Sequence, residues 1–147
     1  MVSRRAALLA GGAALLYGCG PDGSSVPPPP GPALDAQLRA QEAVVLAYRD
    51  LHGRELRRMA AAARAGAAGL RAAGAKTAPP PAGPSSVRAA LAAEDRALTA
   101  HLKGLGAGPR ELRPLNSGLV LTSARHAAQL RQMLGLDPAP VALPGAP

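Results

Sequence analysis

The chain of 147 residues has no tryptophan, no phenylalanine, two tyrosines and one cysteine. Without large aromatics, a core must be assembled from Leu, Ala, Val and Met. That suits closely packed helices and suits strands badly. A single cysteine excludes an internal disulfide, so the fold rests on its core alone. No apolar run approaches the roughly 20 residues that a helical membrane span takes. There is no phosphate-binding glycine loop and no nucleophile accompanied by a base, so hydrolase and transferase activities have no support. Acidic residues are scarce as well, 9 against 17 Lys and Arg, for a formal charge of +8. No aromatics interleave with the arginines as base stacking on nucleic acid would need.

What is present begins with a leader. Arg4 and Arg5 form a basic start, and residues 6–16 form a short apolar run that closes on Leu16-Tyr17-Gly18-Cys19. The run is too short to span a bilayer and has the length of a cleaved signal. Leu16-Tyr17-Gly18-Cys19 resembles the bacterial lipobox. That resemblance implies recognition of Leu16, Tyr17 and Gly18 by the peptidase, removal of residues 1–18, and lipidation of Cys19. The alternative is an ordinary secretory signal with an accidental cysteine. Ser3-Arg4-Arg5-Ala6-Ala7-Leu8-Leu9 resembles a twin-arginine export signal, which carries folded proteins; the general route stays open. Both resemblances imply export, and the lipobox adds that the protein is held at the outer face of the cell membrane through Cys19.

The mature chain would then have about 129 residues, enough for one domain, and would keep about +6 of the charge. Such charge on a tethered protein favours anionic membrane lipids or cell-wall polymers as contacts, and nucleic acid is not expected. Residues 19–33, rich in Gly, Ser and Pro, read as a tether, with Pro27 to Pro30 stiffened as polyproline II.

Beyond the tether, periodicity of three and four predicts helices over residues 34–51, 54–73, 86–103 and 111–134. Their expected inward stripes are Leu34, Leu38, Gln41, Val45, Tyr48; then Leu56, Met59, Ala63, Ala67, Leu70; then Val87, Leu91, Glu94, Leu98, Leu102; then Leu112, Leu115, Leu119, Thr122, His126, Leu130, Met133. His52-Gly53, the proline-rich stretch 74–84 and the glycine-rich stretch 104–109 separate them, and residues 136–147 read as an extended tail. Ser85 and Ser86 are candidate caps, and Pro114 falls in a first helical turn. Gly66 and Gly69 weaken their helix by about 1 kcal/mol each unless they let a neighbour approach. The expected fold class is all-α, a four-helix bundle of two hairpins joined by a proline-rich crossing connection.

Glu94 and His126 interrupt otherwise apolar stripes, and Glu42 lies beside a third. Carboxylates and an imidazole converging inside a bundle are the parts of a di-iron or di-manganese site. The segments Ala40-Gln41-Glu42 leading to Tyr48, Leu70-Arg71-Ala72-Ala73-Gly74-Ala75, Ala93-Glu94-Asp95-Arg96-Ala97 and Ser123-Ala124-Arg125-His126-Ala127-Ala128 resemble the ferritin-like four-helix domains of exported bacterial lipoproteins. In that family's metal pattern Glu42 and Glu94 match the single carboxylates and His126 matches one histidine. Ser123 stands where a Glu belongs, and the second helix offers neither Glu nor His.

The resemblance therefore implies a ferritin-like shell with a degenerate metal set: no cofactor is expected, with iron or manganese on Glu42, Glu94 and His126 as the alternative. Each residue also has a plain structural role: Glu94 reaching an arginine, His126 hydrogen-bonded in the bundle, Glu42 pairing with Arg39 or Arg49. Tyr48 is expected to fill the core with its hydroxyl at the bundle edge, His52 and His101 to be exposed, and Asp95 to be solvated. The functional expectation is a non-catalytic binding or interaction module at the cell envelope; a metal-binding protein or oxidase and a small-ligand carrier are the alternatives. A homodimer is compatible with the Ala-rich face around Gly66 and Gly69.

Overall fold

The computed structural model of this protein describes residues 31–77 and 80–138. The leader residues Arg4, Arg5, Leu16, Tyr17, Gly18 and Cys19, most of the tether and the end of the tail lie outside them. Among the described residues there are four α-helices, α1 Pro32–Ala47, α2 Arg54–Ala72, α3 Val87–Ala107 and α4 Arg113–Met133, and one 3-10 turn at Arg110–Leu112. No strand occurs among the described residues, so the all-α expectation holds. None of these helices is long and apolar enough to cross a membrane.

Local chemistry sets the helix ends. Pro32 opens α1, two residues earlier than the periodicity indicates, because its fixed φ suits a first turn whose N–H has no partner anyway. α1 stops at Ala47 rather than near residue 51. Ser85 Oγ donates to the Ala47 carbonyl at 3.1 Å and accepts from Asp50 N–H at 3.0 Å, so groups that would continue the helix are engaged elsewhere. Gly53 then turns the chain at φ 121°, a conformation that favours glycine, and α2 begins. Ser86 caps α3, its Oγ accepting from Ala89 N–H at 3.0 Å. α3 continues through Gly104 and Gly106 to Ala107, into the glycine-rich stretch expected to be a turn. Pro114 does sit in the first turn of α4.

Each helix has two neighbours. α1 packs on α2 and α3, and α4 packs on α3 and α2. Gln37 near the start of α1 meets His101 near the end of α3, and Glu55 at the start of α2 meets Gln129 near the end of α4. All four adjacent pairs are thus antiparallel, and α2 and α3, linked in sequence, stand diagonally and run the same way. The connection between them must therefore travel the length of the bundle. It is pinned at one end by Lys76 N–H on Asp35 Oδ1 (2.7 Å) and at the other by Ser85 on Ala47.

The core has two apolar clusters. Val44, Tyr48, Met59, Ala63, Ala90, Ala97 and Leu130 fill one half, and Leu34, Leu38, Ala67, Leu70 and Leu119 the other. Alanine at so many core positions lets the helices sit close together, and Gly66 extends that. A Cβ there would lie 2.8 Å from Leu119 Cδ2 and 3.1 Å from Gln41 Nε2, so this glycine admits α4 as its place in the helix requires.

Several stripe residues fall differently from expectation. Val44 is fully buried and Val45 only half so; Leu102 and Met133 are 51% and 47% exposed. On α3 the buried row runs Ala90, Glu94, Ala97, His101, and on α4 Ser123 replaces Thr122.

Candidate polar core between the helices

Two layers of polar side chains lie inside the bundle. Glu94 and His101, which anchor them, are seven residues apart on α3, about 10 Å along the axis.

The first layer joins three helices. His126 on α4 places Nδ1 2.9 Å from Glu94 Oε1, and the Tyr48 hydroxyl donates to the same oxygen at 3.1 Å. Tyr48 is 2%, Glu94 1% and His126 4% exposed, so the three groups meet away from water. Burial first, and the neighbouring Glu94 charge second, raise the Tyr48 pKa well above its ordinary value. The phenol stays protonated and remains a donor. Its oxygen also lies 3.5 Å from Met59 Sδ. The expectation of a hydroxyl at the bundle edge is therefore overturned: Tyr48 follows the end of α1 inward, where Glu94 supplies the acceptor that its hydroxyl needs.

The second layer centres on His101, which is fully buried rather than exposed. Its Nε2 lies 2.9 Å from Gln41 Oε1 and its Nδ1 3.2 Å from Gln37 Oε1. Gln41 Nε2 donates to the Ala63 carbonyl at 3.2 Å, which fixes Gln41 with its oxygen toward the ring. Burial lowers the His101 pKa to about 4, so near neutrality the ring carries one proton, given by Nε2 to Gln41. Nδ1 is then an acceptor, and a half-turn of the Gln37 amide presents the NH2 it needs. Gly104 makes room for that amide: a Cβ there would fall 1.9 Å from Gln37 Nε2.

Glu42 does not join either layer. Its Oε1 is bound by Arg71 of α2, not by Arg39 or Arg49, and its Oε2 is buried without a hydrogen-bond partner. Arg39 instead reaches Thr77 at 3.4 Å, and Arg49 pairs with Asp50. Asp95, expected to be solvated, is held by both oxygens on Arg131 Nη2 at 2.8 and 2.9 Å. His52 is exposed, as expected.

Glu94 and His126, picked out in the sequence for interrupting apolar stripes, are thus brought into contact, while Glu42 is held apart. Sequence reasoning missed Gln37, His101 and Arg71. The available signal was the polar spacing of Gln37 and Gln41, one helical turn apart on α1.

A two-metal centre of the ferritin type needs several carboxylates around two cations. Among the described residues no three His, Cys, Asp or Glu side chains converge as such a group, and Glu42, one of the two candidate carboxylates, is turned onto a guanidinium. These residues do not fit that centre. What the arrangement does chemically is to satisfy buried polar groups across α1, α3 and α4, which fixes the register of the bundle.

Comparison with known family descriptions, with curated proteins and with solved structures finds no match for this chain.

Proposed function

We propose that the mature protein is a lipid-anchored, ferritin-like helical bundle that works as a non-catalytic binding or interaction module at the outer face of the cell membrane. The lipobox-like Leu16-Tyr17-Gly18-Cys19 and the basic, apolar leader before it support the anchor. The single long crossing connection between parallel, diagonal helices is the topology of ferritin-like bundles, and it supports that kinship. One observation carries the non-catalytic reading. The polar groups in the middle of the bundle are engaged with one another: Glu94 with His126 and Tyr48, and His101 with Gln37 and Gln41.

The contact of Glu94 with His126 favours one competing reading, a ferritin-like metal protein or oxidase that binds iron or manganese with a reduced ligand set. A single preparation separates the two. The native chain, isolated from membranes in detergent and loaded with iron or manganese, is assayed by elemental analysis and intact mass. The proposal expects an acyl mass at Cys19, lost in Cys19→Ser, and no stoichiometric metal. Near-stoichiometric metal that disappears in His126→Ala would overturn the non-catalytic reading and establish the competing one.

A further inference from the structure

We infer that the outward face of α2 is a second attachment surface, docking against the anionic phospholipid headgroups of the membrane that holds the anchor. The inference rests on the lipid-anchored reading above and adds the face on which the domain lies.

α2 carries five arginines and one acid, Glu55. Arg54, Arg57, Arg58, Arg64 and Arg71 are all exposed. Arg57, Arg64 and Arg71 recur at every seventh residue, so they share one stripe that drifts only about 20° per step. Ala61, Ala65, Ala68 and Ala72 complete the exposed face. Between Arg58 and Arg71 the exposed positions other than Arg64 carry only methyl groups. Arg58 pairs with Glu55, and Arg71 with Glu42. No ion pair engages Arg54, Arg57 or Arg64 among the described residues.

The other helices do not match this. Of cations, α1 exposes Arg39 alone, and α3 exposes three, Arg88, Arg96 and Lys103, against five on α2. On α4, Arg131 is committed to Asp95, which leaves two exposed arginines, Arg113 and Arg125, and Leu121, 71% exposed, interrupts that surface.

Geometry permits the contact. Leu34 at the start of α1 and Leu70 and Ala75 at the end of α2 belong to one cluster, so the chain coming from Cys19 enters beside the end of the arginine face. Thirteen peptide links separate Cys19 from Pro32, and 13 residues reach at most about 45 Å. α2 is about 28 Å long, so the helix can lie along the bilayer without straining the tether. Arginine is suited to the task, because its planar fork pairs with phosphate oxygens two at a time.

The test uses the mature chain beginning at position 19 with Cys19→Ser, so that no acyl group contributes, sedimented with phosphatidylcholine vesicles with and without phosphatidylglycerol. Binding is expected only with phosphatidylglycerol, and it should weaken as salt shortens the Debye length. Each headgroup-facing arginine is worth roughly fivefold in partitioning, so Arg57→Gln with Arg64→Gln loses roughly 25-fold. Arg88→Gln with Arg96→Gln removes the same charge from exposed sites on α3, diagonal to α2, and should lose far less. Circular dichroism establishes that both double variants keep their helices.

Equal losses in the two double variants would mean that net charge, not this face, does the binding, and the inference fails. It fails too if phosphatidylglycerol vesicles do not bind, or if the chain binds a cell-wall polyphosphate polymer but no vesicle. Absence of an acyl group on native Cys19 alongside intact vesicle binding would remove the anchor and leave the arginine face standing.

Discussion

Glu94 Oε1 takes hydrogen bonds from a phenol and an imidazole at once, in a place where neither water nor an arginine can substitute. Tyr48→Phe removes one donor while keeping the ring. The expected loss is about 1–3 kcal/mol, because the oxygen stays buried with a partner missing. It should appear as a lower denaturant midpoint at unchanged slope. In a double-mutant cycle with Glu94→Gln the two changes should couple, and additive effects would mean that the 3.1 Å contact contributes nothing. At this scale the sequence was half legible. Glu94 and His126 announce themselves as polar interruptions at helical spacing. Tyr48 does not, because a tyrosine at the end of an amphipathic stripe normally sends its hydroxyl to water. Its partner is 46 residues away, and local pattern says nothing about contacts at that range.

At the scale of the helix, α3 shows why apolar periodicity misled. Reading Leu98 and Leu102 as the inward row turns the helix by about one residue and puts His101 outside. The true row, Ala97, His101, Gly104, is made of small and polar residues that carry no hydrophobic signal. Only the facing Gln37 and Gln41 on α1 explain it. Two predictions belong here. Gly104→Ala gains up to about 1 kcal/mol in helix propensity, yet drives its Cβ into the Gln37 amide and breaks its contact with His101. The net result should be destabilisation of about 1–2 kcal/mol. In a Gln37→Ala background the same change should stabilise, and the reversal of sign, read from thermal melts, identifies the clash as the cause. The second concerns pH. His101 titrates near 6.5 when unfolded and at about 4 when folded, so the unfolded chain binds the extra proton first. Its contribution is complete above about 6.5 and is lost as pH falls toward 4, by up to about 3 kcal/mol. His101→Gln should flatten that part of the stability profile relative to the parent chain. An unchanged acid slope would mean that this ring does not carry it.

For the whole molecule, the number of helices and the long crossing connection were legible, because proline and glycine clusters divide the sequence into four amphipathic runs. The pairing of those helices was not, since nothing local distinguishes an adjacent from a diagonal neighbour. The connection itself decides it. Between its two pins, Lys76 on Asp35 and Ser85 on Ala47, it must cover the rise of α1 from residue 35 to residue 47, about 18 Å. Nine peptide links do so easily. Deleting residues 79–83 leaves four, which reach at most about 14 Å. A monomer so shortened cannot keep both pins and also hold α3 diagonal to α2. The low-cost escape is exchange, in which the α3–α4 hairpin of one copy packs on the α1–α2 hairpin of another and the same contacts form between chains. Size-exclusion chromatography with light scattering should therefore show a concentration-dependent dimer for the deletion variant, with undiminished helix content. A stable monomer of parental helicity would mean that the helices can be rewired into neighbours joined by short loops, and that the buried polar layers do not dictate how they pair.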